Sequence, residues 1–303
     1  MSIKKYINAY KVGRIILCLS FCFVFNATLA QQVLNNLRLN YEKASNDDPE
    51  RFFLAGKYVQ GLFFNNQEQK ADRILLENIK QATKLTDGAY AAYLYAIHAM
   101  NDRIREEISA SAAHIEKAKE YAEKSKNLEI RGYVSYCEGW LLVRDNKEGE
   151  AVRSFLRGIS YYDHASPSLS LNSRKSSIYK ELTAIYSNWN ELELQEKYGN
   201  LALSLAMEQK DPIAIFDAYM LMGHLNEQQH ITEPSNKQSR DRAEKYYRQA
   251  ILTYNENKDQ IPFPSNLSYV ANNLANLYFR YFPDSYEDQA LYFASIAQKH
   301  GLA

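Results

Sequence analysis

In the stretch GWLLVRDNKEGEAVRSFLRG (139–158), Gly139 stands twelve positions before Ala151, sixteen before Phe155 and nineteen before Gly158. Residues without bulk let two antiparallel helices approach closely, and an aromatic ring fills the wider space beside such a contact. The series returns along the chain. Gly223 precedes Ala243, Tyr247 and Ala250, and Ala275 precedes Ala290, Ala294 and Ala297. Leu182, Tyr186 and Ala202 hold equivalent places in a looser copy. Helix pairs recurring at roughly 37–52 residues mark a repeat array, because one pair cannot bury its apolar face alone. The expected fold is therefore all-α, an α-solenoid of five to six antiparallel helix pairs. Five units are clear and a first one, at 50–85, is looser.

Punctuation supports this division. All seven prolines (Pro49, Pro167, Pro212, Pro234, Pro262, Pro264 and Pro283) fall between runs whose apolar residues recur every three or four positions. Proline removes a donor and clashes with the preceding turn, so it is excluded from helix interiors. Asp48-Pro49 and Asp211-Pro212 each pair a capping side chain with a residue suited to the first helical turn. With 24 Tyr and 13 Phe against only 11 Gly, the chain lacks the turn residues that a sandwich of short strands needs.

The first 30 residues carry Lys4, Lys5, Lys11 and Arg14 and no acid, then the apolar run Ile15 to Phe25. Thr28 and Ala30 supply the small residues expected before a secretory cut, so cleavage is predicted after Ala30 with export to the periplasm. This divides the chain into a signal peptide (1–30), a leader segment (31–48) and a helical repeat domain (49–303). No long apolar stretch follows, so no membrane span is predicted in the mature chain. Cys18 and Cys22 leave with the signal, and Cys137 is read as a packed apolar group. The 36 basic and 36 acidic residues balance only with the signal included. The remainder is acidic and carries no basic stripe, which excludes nucleic acid as a partner.

The small residue in each first helix, with small, aromatic and small residues in the second, resembles the tetratricopeptide repeat. The likeness is best over 132–163 and around Gly223. It implies a right-handed superhelix whose first helices line a concave groove, and a protein or peptide partner bound there. By analogy with that family, the groove positions are Tyr90, Tyr93, Tyr133, Tyr136, Trp140 and Arg144, then Lys180, Met220, Asn272 and Asn276. The first group reads as an aromatic wall, with Arg144 placed to hold a carboxylate or carbonyl. Signal and repeats together are also similar to the exported sensor segments of Bacteroidetes two-component and transcriptional regulators, which implies a truncated sensor ectodomain as the alternative.

Catalytic motifs do not emerge. HExxH, GxSxG, GxGxxG and the P-loop are all missing. His114-Ile-Glu116 lacks the paired cysteines of a zinc deaminase, and His224 and His230 flank a loop without further ligands. The expectation is a binding protein without catalysis, cofactor or metal. The segment ALYFASIAQKHGLA closes on the second helix of a pair, so self-association through the C-terminal helices is expected.

Overall fold

The computed structural model describes residues 33–45, 48–166, 173–258, 260–261, 264–282 and 286–301. The expected signal and its cleavage point lie outside them. Every regular element among the described residues is an α-helix. A helix α1 (33–43) precedes six pairs: α2 (Arg51–Phe64) with α3 (Glu68–Ala82), α4 (Ala89–Ile104) with α5 (Ile108–Lys124), and α6 (Leu128–Arg144) with α7 (Glu148–His164). Then follow α8 (Ser173–Asn188) with α9 (Leu192–Gln209), α10 (Pro212–Thr232) with α11 (Lys237–Glu256), and α12 (Pro264–Tyr281) with α13 (Tyr286–Gly301).

Each pair packs internally, and each second helix packs on the first helix of the next pair. Consecutive first helices also touch, from α2 through α4, α6, α8 and α10 to α12, whereas consecutive second helices do not. A curved stack is tightest on its inner side, so the first helices form the inner wall and the second helices the outer one. This is an all-α solenoid of six pairs.

The small residues do what their spacing suggests. A Cβ added at Gly139 would lie 2.5 Å from the Phe155 ring, and one at Gly223 would lie 2.5 Å from Tyr247. Phe155, Tyr247, Ala151 and Ala243 are all fully buried. At Gly158 the added atom would meet Ile178 of the next pair at 3.0 Å, so this position sets the contact between pairs.

The turns inside the first four pairs share one device that sequence spacing did not announce. Asn66, Glu106, Asn146 and Asn190 adopt left-handed backbone, with φ of 56°, 64°, 58° and 57°. The next amide then reaches back to a carbonyl five residues earlier: Gln67 to Leu62 at 2.9 Å, Glu107 to Asp102 at 2.8 Å, Lys147 to Leu142 at 2.8 Å and Glu191 to Tyr186 at 2.9 Å. This closure satisfies the last carbonyls of a helix and reverses the chain tightly. Three of the four positions are asparagine, which tolerates this conformation better than other side chains. The Asp211 cap is present, its carboxylate accepting the amides of Ile213 and Ala214.

Two expectations shift. Residues 33–43, read as a leader, form a helix whose Leu34 is buried in the core, with Leu37 and Tyr41 against it. Helix α10 runs on to Thr232, past the point where polar sequence suggested a loop, because Asn226, Glu227 and His230 are buried against neighbouring helices, Glu227 accepting from the Tyr247 hydroxyl at 2.7 Å.

Candidate functional site

The inner wall along α2, α4 and α6 is built of aromatic side chains. A ladder of rings climbs it: Phe53 and Tyr93 meet edge-on at 5.0 Å, Tyr93 and Tyr133 lie 5.1 Å apart, and Tyr136 follows Tyr133 at 6.4 Å. Tyr136 in turn faces Phe155 at 6.3 Å. This packing corrects the aromatic-wall expectation. Tyr93 (2% exposed), Tyr133 (0%), Tyr136 (6%) and Trp140 (9%) belong to the core. The first helices approach so closely that rings at these positions fill the contact between them instead of projecting from it. Tyr90 keeps part of its surface, leaning on Phe52 and Phe53 at 5.5 and 5.2 Å.

The other expected positions divide. Arg144 lies over the Trp140 ring, its Cζ 3.1 Å from the centroid, and donates through Nη1 to the Trp140 carbonyl at 3.2 Å. Lys180 is spent on an ion pair of 2.6 Å with Asp217, which ties α8 to α10. Met220 packs partly against the core formed by α10 to α13; Asn276 is half-buried and Asn272 exposed. The ten positions therefore do not form one continuous groove surface.

Two residues that sequence reasoning missed complete the wall. Glu181 on α8 is set deep enough that burial raises its carboxyl, with Arg144 and Lys180 pulling the other way. Burial conversely lowers the Arg144 guanidinium, with Glu181 opposing. Arg174, in the first turn of α8, places its guanidinium 5.5 Å from the Tyr133 ring and 6.0 Å from that of Tyr136. Nothing in the local sequence distinguishes Arg174 or Glu181 from the many charges of solvated helix faces; their depth comes from where α8 docks.

Around them the neutral groups are locked. Burial holds the phenols of Tyr93, Tyr133, Tyr136 and Tyr162 above their ordinary range and pushes the Cys137 thiol up to about 12. Cys137 is fully buried 3.3 Å from the Met100 sulfur, a packed apolar group as its sequence context indicated. The Tyr162 hydroxyl is buried with no hydrogen-bond partner among the described residues, and the Tyr133 hydroxyl has only the weak partner offered by the Cys137 thiol. Such groups cost free energy to leave unsatisfied. Chemically, the wall offers exposed Arg144 and part-buried Arg174 and Glu181 beside buried phenols, a polar patch set among aromatic rings.

Two further clusters stand apart from it. His98, Asp102 and His114 bring ligand atoms within 4.8 Å of one another. Their rings stack at 3.8 Å and 16°, so the in-plane lone pairs run parallel instead of converging on an ion. Asp102 is instead committed to hydrogen bonds with His114 at 2.6 Å and Arg105 at 2.8 Å. On the outer side, a cleft of about 490 Å³ opens between α5 and α7. There Lys119 and Arg157 both engage Glu138, and Arg103 pairs with Asp145 at 3.4 Å. Among the described residues, no helix is long and apolar enough to cross a membrane.

No family model matches the chain, and no curated protein does. Solved structures do. BtubC (BKLC) from P. vanneervenii superposes with a TM-score of 0.61 at 14% identity, covering 75% of this chain and 87% of that one. Aspartyl phosphate phosphatase F from Bacillus subtilis gives a TM-score of 0.60 at 13% identity, over 89% of this chain and 70% of that one. At such identities the likeness shows the helical-repeat fold and nothing of activity.

Proposed function

We propose that this protein is a binding scaffold that takes a peptide segment of another protein along the inner wall between α4, α6 and α8. The observation that carries the reading is the grouping of part-buried Arg174 and Glu181 with exposed Arg144 on the inner wall, beside the faces of Tyr133, Tyr136 and Trp140. Charges in such places destabilise the free protein unless something else compensates them, and a bound polar backbone does so. Tyr90, which keeps part of its surface, supplies apolar contact on the same wall. The second part of the proposal is that the scaffold works outside the cytoplasm, on the strength of the signal-like segment ending at Ala30.

The test is a pulldown from the native envelope fraction with the protein as bait, followed by titration of the recovered partner. Arg144→Ala and Glu181→Gln are expected to weaken binding about tenfold each, while Arg153→Ala on the outer cleft leaves it unchanged. Circular dichroism establishes that each variant keeps its helicity. Equal affinities for all three would sink the inner wall as the site. Mass spectrometry of the mature chain is expected to find Gln31 at its start; an intact Met1 in the cytosol would overturn export.

A further inference from the structure

The two ends of the stack are finished differently. At the first pair, α1 lies against α2: Leu34 is buried, and a Cβ added at Gly61 would lie 2.8 Å from Leu37 and 3.3 Å from Leu34. Each second helix packs on the following first helix, so α1 holds the place that a preceding second helix would take. The sixth pair is open instead. Counted from Gly139 and Ala275, Tyr133 and Tyr136 correspond to Tyr269 and Asn272; the first two are buried and the last two exposed. Counted from Ala151 and Ala290, Val152 corresponds to Leu291. Val152 is buried in α7, which has α8 against it, whereas Leu291 is 71% exposed. Tyr292 is 59% exposed beside it, and Phe279, near the end of α12 that leads into α13, is 67% exposed.

Large apolar side chains standing open at one end of a repeat array mark a contact surface. What α13 carries there decides what covers it. Asp288, Tyr292, Ser295 and Lys299 follow at steps of four, three and four, so they share one stripe of the helix, and all are exposed. The acid and the base stand about 16 Å apart along the axis and cannot meet within one copy. Turned about a two-fold axis at the middle of this stripe, a second α13 runs antiparallel. Its Lys299 then comes opposite Asp288 and its Ser295 opposite Tyr292, and symmetry makes each match twice. Ser295 is small, and its hydroxyl already donates to the Tyr292 carbonyl at 2.7 Å, so a ring can lie on it without stranding a donor. A head-to-tail stack would instead need α13 against α2, where α1 is in the way.

We infer that α13 is a pairing helix for a second copy of this chain: two copies join end to end about a two-fold axis, antiparallel along α13. Leu291 and Tyr292 fill the centre of the contact, and an Asp288–Lys299 ion pair closes it on either side. The closed symmetry stops the assembly at two copies. The pairing does not depend on the peptide-binding reading above; on that reading, the pair carries two inner walls.

Sedimentation equilibrium of the full mature chain tests this. Wild type is expected to form a dimer and nothing larger, with a dissociation constant of roughly 1–100 μM, the range of a small interface. Leu291→Glu is expected to weaken pairing at least roughly 30-fold, because it sets a charge without a partner at the centre of the contact. Leu291 is exposed in a single copy, so the thermal melt of the diluted variant should match that of wild type. Asp288→Lys and Lys299→Glu are each expected to weaken pairing roughly tenfold, since every reversal acts at both ends of the contact. The double variant Asp288→Lys/Lys299→Glu is expected to recover the wild-type constant. A wild type that stays monomeric at roughly 300 μM overturns the inference, as do species that keep growing with concentration. A double variant that pairs no better than either single one rejects the antiparallel register, and an unchanged constant for Leu291→Glu rejects α13 as the contact.

Discussion

Gly139→Ala tests the packing rule on which the architecture stands. The added methyl would lie 2.5 Å from Phe155 Cε1, 2.6 Å from Cδ1 and 2.9 Å from Cζ. Ordinary carbon contact is about 3.5–4.0 Å, so three ring atoms overlap the new group. Phe155 is fully buried, and its ring is braced by Tyr136 at 6.3 Å. It cannot step aside without opening the α6–α7 contact. Overpacking of this kind costs about 1–3 kcal/mol, and so large an overlap belongs at the upper end. Against this, replacing glycine by alanine inside a helix gains up to about 1 kcal/mol. The net expectation is a loss of about 2 kcal/mol. Gly149→Ala is the internal control, because its added methyl meets nothing within 4 Å. It should keep some of the propensity gain and lose nothing. Urea denaturation followed by circular dichroism compares the two. Phe155→Leu placed in the Gly139→Ala background should recover part of the loss, giving a favourable coupling in a double-mutant cycle. If Gly139→Ala proves as stable as wild type, close helix approach at this glycine is not what organises the pair.

Two further outcomes are expected. Glu106 is exposed and holds a left-handed backbone, so Glu106→Gly should raise stability by about 0.5–1 kcal/mol in thermal melts, whereas Asn146→Gly should be near neutral; a loss at Glu106 would contradict the turn assignment. At Asp102, burial alone would raise the carboxyl, but hydrogen bonds from His114 and Arg105 and the charge of His98 outweigh it and hold it low. A carboxyl depressed in the folded state stabilises above its unfolded value, about 3.9, and that contribution is lost as pH falls through the folded value. His98 is lowered by burial, so its contribution is present above about 6.5 and is lost as pH falls below that. Stability is therefore expected to decline on acidification from pH 7, and Asp102→Asn to be weaker by about 1–3 kcal/mol at pH 7 with a flatter profile below it. Parallel wild-type and variant profiles would count against the network.

What the sequence determined by itself was the local part of the problem. Small residues at Gly139, Ala151 and Gly158 around Phe155, with prolines kept to the gaps, dictate which helices pair and how closely, because those contacts lie within one repeat. Asp211 and Pro212 likewise announce their helix start without help from distant residues. The side on which a ring ends is a different matter. Tyr133 and Trp140 stand where a family pattern would show them to a groove, yet consecutive first helices touch and enclose them. Arg174 and Glu181 read as ordinary surface charges until α8 docks against α6 and carries them into the wall. Periodicity assigns a residue to a face of its own helix. Whether that face meets solvent or another helix depends on the curvature of the whole stack, which only the tertiary structure decides.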